Sequence, residues 1–126
     1  MPEGVLTFKR QVLSDEEMPK ISESEKKFRK VIIKLDGTIE DCSGTLQLDF
    51  ANKYLGGGVL NSGCVQEEIR FVICPELLVS LLFTERLEKN ESVIIRGCER
   101  FSSYIGYGDT FEWSDDYHDE TARYLI

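Results

Sequence analysis

The sequence predicts one domain of the α/β or α+β class, a sheet packed by a pair of helices. Three observations carry this. Short strand-like segments recur at Val5–Val12, Lys30–Leu35, Thr45–Phe50 and Ser92–Arg96. Between them the apolar period lengthens, with Val65, Ile69, Val72 and Ile73 on one helical stripe. At 126 residues, 41% hydrophobic and 30% charged, the chain is large enough for one core but not for two.

Val5–Val12 alternates loosely, as a strand does. Residues 13–29 are expected to form a mobile loop: Ser14–Glu25 is polar and carries Pro19. Lys30–Leu35 (KVIIKL) is β-branched and ends in the turn pair Asp36-Gly37. Thr45–Phe50 (TLQLDF) places Leu46, Leu48 and Phe50 on one face and Asp49 on the other. Ala51–Gly63 holds four of the ten glycines and is expected to be an exposed loop. A helix is expected from near Gln66, and Pro75 restarts a second one. Leu77, Leu78, Leu81 and Leu82 are expected to be the core face of that second helix, with Glu85 and Lys89 as an exposed i,i+4 pair. Ser92–Arg96 (SVIIR) reads as a buried strand. Tyr104, Gly106, Tyr107 and Gly108 read as an aromatic, glycine-rich loop, Thr110–Trp113 as a further strand, and Ser114–Glu120 as a solvated acidic segment.

Composition excludes several functions. Fifteen Lys and Arg against 23 Asp and Glu leave a net charge of −8, which disfavours broad binding to DNA or to anionic membrane. The basic run Lys26–Lys30 is offset by the acids of Asp15–Glu25 and reads as a solvated turn. Cys42, Cys64, Cys74 and Cys98 show no CxxC spacing, and the single His118 offers no metal partner, so no metal site is expected. With neither a signal peptide nor an apolar run near 18 residues, the chain is expected to be intracellular with reduced thiols.

The chemistry concentrates in GGGVLNSGCVQEE, Gly56 to Glu68. A strand end at Asp49, a glycine loop and a helix start follow one another there, and ligands of open α/β sheets gather at strand ends. Gly56, Gly57 and Gly58 let backbone N–H groups approach a ligand closely, and the helix start adds further unpaired donors. Each part also has a plainer role: the glycines as a turn, Glu67 and Glu68 as acids that meet a helix dipole.

TLQLDFANKYLGGGVLNSGCVQEEIRFVICPELLVSLLF, with YIGYGDTF further on, closely resembles the signature of the poly(ADP-ribose) glycohydrolase family, whose catalytic module is a macrodomain. The resemblance runs from about Val5 to about Glu120 and implies an α/β, macrodomain-like mixed sheet flanked by helices. It implies hydrolysis of the ribose–ribose O-glycosidic bonds of poly(ADP-ribose), releasing ADP-ribose, with no cofactor. Glu68 is implied as general acid and then general base, Glu67 as a grip on ribose hydroxyls, and Asp49 and Asn52 as supports of the catalytic carboxylate and the ribose. Gly56, Gly57 and Gly58 are implied to line the ribose and diphosphate, Ile39, Glu40 and Gln66 to surround the adenine, and Tyr107 to pack on the ligand. Proximity to Glu67 and Asp49 would make Glu68 hold its proton, whereas the helix N-terminus would favour its ionised form, and the sequence leaves that balance open.

The family's module continues past the TFEW region into another core strand, helices and a second glycine-rich loop. The chain is accordingly expected to be a partial catalytic domain, residues 1–126, weak or inactive alone; the alternative is a catalytically impaired ADP-ribose-binding module. Poly(ADP-ribose), ADP-ribose and poly(ADP-ribosyl)ated proteins are the implied partners, without direct DNA or membrane binding. A monomer in the nucleus, the cytoplasm or both is implied, in the setting of the DNA damage response.

Overall fold

The computed structural model describes residues 4–42 and 44–118. Strand β1, Thr7–Val12, pairs antiparallel with β2, Glu91–Arg96, in the register Thr7↔Arg96 to Val12↔Glu91. Helix α1 spans Gln66–Ile73 and is followed by a 3₁₀ helix, Pro75–Leu82. Strands β3, Ser102–Ile105, and β4, Glu112–Asp116, form a second antiparallel pair with an irregularity between Ser103 and Tyr104. The described strands thus lie in two separate two-stranded sheets, around a core built on α1.

Ile69, Phe71 and Ile73 of α1, with Leu55, Cys74, Leu77 and Cys98, are buried. Leu6, Val93 and Ile95 from the first sheet and Tyr104 and Phe111 near the second pack on this cluster. Phe71, not Val65 or Val72, completes the inner stripe of α1; both valines are exposed. The four cysteines are free thiols, Cys74 and Cys98 serving as small buried hydrophobes.

Several expected elements differ. Lys30–Leu35 forms no strand, and Val31, Ile32, Ile33 and Leu35 are exposed; β-branched residues hold a strand only when a partner strand satisfies the backbone. Thr45–Phe50 is likewise unpaired, and its faces are reversed relative to expectation. Leu46, Leu48 and Phe50 are 83%, 63% and 75% exposed, while Gln47 turns inward to accept a hydrogen bond from Arg70 on α1, and Asp49, two residues on, shares its face. The element after Pro75 is 3₁₀ rather than α, which rotates its positions: Leu77 and Ser80 are buried and Leu82 is exposed. That helix ends before Glu85, so Glu85 and Lys89 share no helical face. Tyr104 sits in β3 instead of a loop, and the strand expected at Thr110–Trp113 begins at Glu112 and runs on into the acidic segment. The last residues of that segment, 119–120, fall outside the described residues.

Candidate active site

Helix α1 begins where Val65 leaves its backbone extended. The first turn presents Gln66, Glu67 and Glu68, and each reaches back to the chain before it. Glu67 Oε1 accepts the Gly56 N–H at 2.6 Å, and its Oε2 accepts the Asn52 N–H at 2.8 Å. Glu68 Oε1 accepts the Gly58 N–H at 2.8 Å, and its Oε2 accepts the Val65 N–H at 3.0 Å. The last of these is one half of a capping box, an acid at the third helical position holding the N-cap amide. Both acids are buried, and among the described residues neither forms an ion pair. Backbone N–H groups take the place of cations.

The glycine loop makes this approach possible. Gly57 has φ +53°, and a Cβ there would lie 2.8 Å from Glu67 Oε2 and nearer still to Glu68 Oε1. Gly63 is as tight, with a Cβ position 2.8 Å from Glu68 Oε1. No side chain larger than hydrogen fits between the loop and the two carboxylates.

Gln66 clamps the extended segment ahead of the loop: its Oε1 accepts the Phe50 N–H at 2.9 Å and its Nε2 donates to the Leu48 carbonyl at 3.0 Å. The Gln66 backbone N–H donates to the Tyr107 hydroxyl at 3.0 Å, and the Gly108 N–H donates to the Cys64 carbonyl at 2.9 Å. The aromatic loop after β3 is thereby fastened to the start of α1. Tyr107 remains half exposed beside it. Asp49 is half-buried, and its Oδ1 has no hydrogen-bond partner among the described residues. Burial, then the Glu67 charge, lift its carboxyl to about 6, with Arg70 opposing and Glu68 adding. Burial also raises Glu67 above the usual carboxylate range, against the pull of the Asn52 and Gly56 N–H groups. Glu68 goes the other way, held below its ordinary value chiefly by the Gly58 N–H. At Glu68 the donors outweigh the burial, the balance that the sequence left open.

The structure therefore gathers Asp49, Asn52, Gly56, Gly57, Gly58, Gln66, Glu67, Glu68 and Tyr107 around one helix start. Ile39 and Glu40 belong to a separate 3₁₀ turn, Ile39–Asp41, whose bonds run to β3 and its approach. Glu40 Oε1 accepts from the Tyr104 hydroxyl at 3.4 Å, and Asp41 pairs with Arg100 at 3.6 Å. Glu40 Oε2 is buried without a partner. Sequence reasoning passed over Arg70 and Gln47, which are joined by a hydrogen bond from Arg70 Nη2 to Gln47 Oε1. No local signal in the sequence points to this pair, because alternation alone puts the apolar residues of Thr45–Phe50, and not Gln47, on the inner face.

A family profile described as poly(ADP-ribose) glycohydrolase, macro domain fold, matches residues 18–125. Poly(ADP-ribose) glycohydrolase 1 of Arabidopsis thaliana is 43% identical over 123 residues, covering 97% of this chain and 22% of that protein. Poly(ADP-ribose) glycohydrolase 1 of Caenorhabditis elegans is 53% identical over 77 residues, 61% of this chain and 10% of that protein. Poly(ADP-ribose) glycohydrolase 2 of the same organism is 49% identical over 77 residues, 61% of this chain and 16% of that protein. The chain thus spans a quarter or less of the length of these relatives.

Proposed function

This chain belongs to the poly(ADP-ribose) glycohydrolase family, of macro domain fold, and from that premise we propose that it carries the bond-cleaving part of a glycosidase acting on poly(ADP-ribose). The single observation that supports this most is the pair Glu67–Glu68. Two adjacent acids are buried at a helix start and held by four backbone N–H groups, with no ion-pairing cation among the described residues. Acids buried for structure alone are normally paired with Lys or Arg, since an unpaired buried charge is costly. Here the site is preorganised around carboxylates.

In the proposed reaction Glu68 protonates the 2′-oxygen that leaves as the ribose–ribose bond breaks. The ribose passes through an oxocarbenium-like state, and Glu68, now a carboxylate, takes a proton from the attacking water. One residue serves both steps. Glu67 and the Gly56–Gly58 backbone hold ribose and diphosphate oxygens, Gln66 and Tyr107 border the ligand, and Ile39 and Glu40, on their separate turn, are assigned to the adenine by the family resemblance alone. Because Glu68 is ionised in the free site, the substrate must raise its proton affinity, which exclusion of water and the nearby diphosphate charge both do.

The test is release of ADP-ribose from labelled poly(ADP-ribose) by this chain and by Glu68→Gln. Gln keeps the size of the side chain and one acceptor oxygen for Val65 or Gly58, a thermal melt checks that the variant is folded, and turnover is expected to fall by roughly 10²–10⁴-fold. Unchanged release in the variant would overturn the role of Glu68. A second reading, an ADP-ribose-binding module without turnover, draws on the two N–H groups that keep Glu68 ionised. Calorimetry with ADP-ribose separates the two: binding without release of ADP-ribose from polymer favours the module.

A further inference from the structure

Arg70 lies on α1 one turn beyond Glu67 and keeps only 7% of its surface exposed. A cation buried to that degree is costly unless it meets an acceptor and an opposing charge. Its acceptor is Gln47 Oε1. Its opposing charge is Asp49, on which its field acts against those of Glu67 and Glu68. Arg70 makes no direct ion pair among the described residues, so it acts on the acid across a gap. The thiols of Cys74 and Cys98 also lie within its field.

Gln47 and Asp49 are alternate residues of one extended segment, so they share its inward face. That segment has no partner strand among the described residues. What holds it is α1: Arg70 grips Gln47, Gln66 grips Leu48 and Phe50, and Glu67 grips Asn52. Asp49 takes no part in the grip, for its Oδ1 is buried and unpartnered. The holding is done by its neighbours, and Asp49 keeps a buried oxygen that no group among the described residues satisfies.

We propose that Arg70 is a positioning residue of the acidic site: through Gln47 it fixes the segment that carries Asp49 against α1, and it supplies the positive charge that the three clustered acids otherwise lack. The part of this that concerns turnover rests on the glycohydrolase reading; the part that concerns Asp49 does not.

The test follows the Asp49 carboxyl by carbon-detected NMR titration of the whole chain. Arg70→Gln is expected to raise its midpoint from about 6 by about one unit, roughly a tenfold gain in proton affinity. Arg70→Lys keeps the charge and is expected to restore the parent midpoint, whereas a merely packing role would leave both variants alike. A midpoint unmoved in folded Arg70→Gln, or the same in both variants, overturns the electrostatic part. Gln47→Ala changes a half-buried side chain and leaves Arg70 in place. It is expected to speed amide exchange at Phe50 and Asn52 several-fold, and unchanged exchange overturns the tether, which decides the matter even if Arg70→Gln does not fold. On poly(ADP-ribose), the acid limb of the pH–rate profile should move up with the Asp49 midpoint in Arg70→Gln. A parent chain that neither releases ADP-ribose from polymer nor binds it would count against the glycohydrolase reading and leave the titration result standing.

Discussion

Replacing Asp49 by Asn sets the stability of the site against its chemistry. The carboxyl of Asp49 titrates at about 6 instead of 3.8, first because burial disfavours its charged form and next because Glu67 lies near. A shift of about two units corresponds to about 3 kcal/mol. Water still reaches the half-buried group, and screening reduces this to roughly 1–2 kcal/mol. The sign follows from linkage: an acid whose folded pKa is raised resists ionisation in the fold, so its charge destabilises. That cost is absent below about pH 4, grows as the pH rises towards about 6, and is complete above it. Asn has nearly the same shape and never ionises. Asp49→Asn is therefore expected to be more stable than the parent by roughly 1–2 kcal/mol near pH 7.5, with the gain gone by about pH 4. Urea unfolding at about pH 4, 5.5 and 7.5 measures it. The difference between the two chains reports Asp49 together with its coupling to Glu67, whose own ionisation becomes easier once the neighbouring charge is gone. A gain that does not change with pH, or a loss near pH 7.5, would refute the reasoning. Release of ADP-ribose by the same variant should fall, so that stability and activity part company.

Gly57→Ala is expected to abolish turnover and to lower the melting temperature by several degrees. Its Cβ meets both carboxylates at a backbone φ of +53°, and calorimetric melts beside a turnover assay check both effects. Tyr107→Phe removes the hydroxyl that accepts the Gln66 N–H, which is expected to cost about 1 kcal/mol by urea unfolding. The ring remains, so ADP-ribose affinity should fall far less in that variant than in Tyr107→Ala, as titration calorimetry would show.

The helix at Gln66 was legible because its start is written locally, in a glycine loop followed by acids and then an apolar stripe. Strand β2 was legible from the run VIIR and the glycine after it. The candidate site was legible as a list of residues in one motif, and eight of the nine gathered at the helix start lie within the twenty residues Asp49–Glu68. What could not be read was which face of Thr45–Phe50 turns inward. Alternation gives two faces, and the usual rule buries the apolar one. Here Arg70, Gln66 and Glu67 hold Gln47, Leu48, Phe50 and Asn52 by polar contacts, and the leucines are left outside. Those contacts join residues 15 to 23 positions apart, beyond the reach of any local pattern. Lys30–Leu35 failed for a related reason, since strand propensity says nothing about whether a partner strand is there to be met.

Three glycines set just before two acids look like two liabilities, and the geometry makes each the remedy for the other. Glu67 and Glu68 are buried without cations and need backbone N–H groups, which only a loop free of Cβ atoms can bring so near. The acids in turn fix that loop, receiving the amides of Gly56 and Gly58. Each carboxylate accepts two such bonds, yet their proton affinities move apart, because burial leads at Glu67 and the Gly58 amide leads at Glu68. Adjacent titratable groups driven in opposite directions are the pattern from which acid–base work is built. On the proposed mechanism this has a direct use. Glu68 rests as the carboxylate that the second step requires, while its neighbours Glu67 and Asp49 are the acids held back from ionising. Substrate binding must therefore load Glu68 with the proton that it hands to the leaving oxygen, by excluding water and by bringing the diphosphate charge beside it.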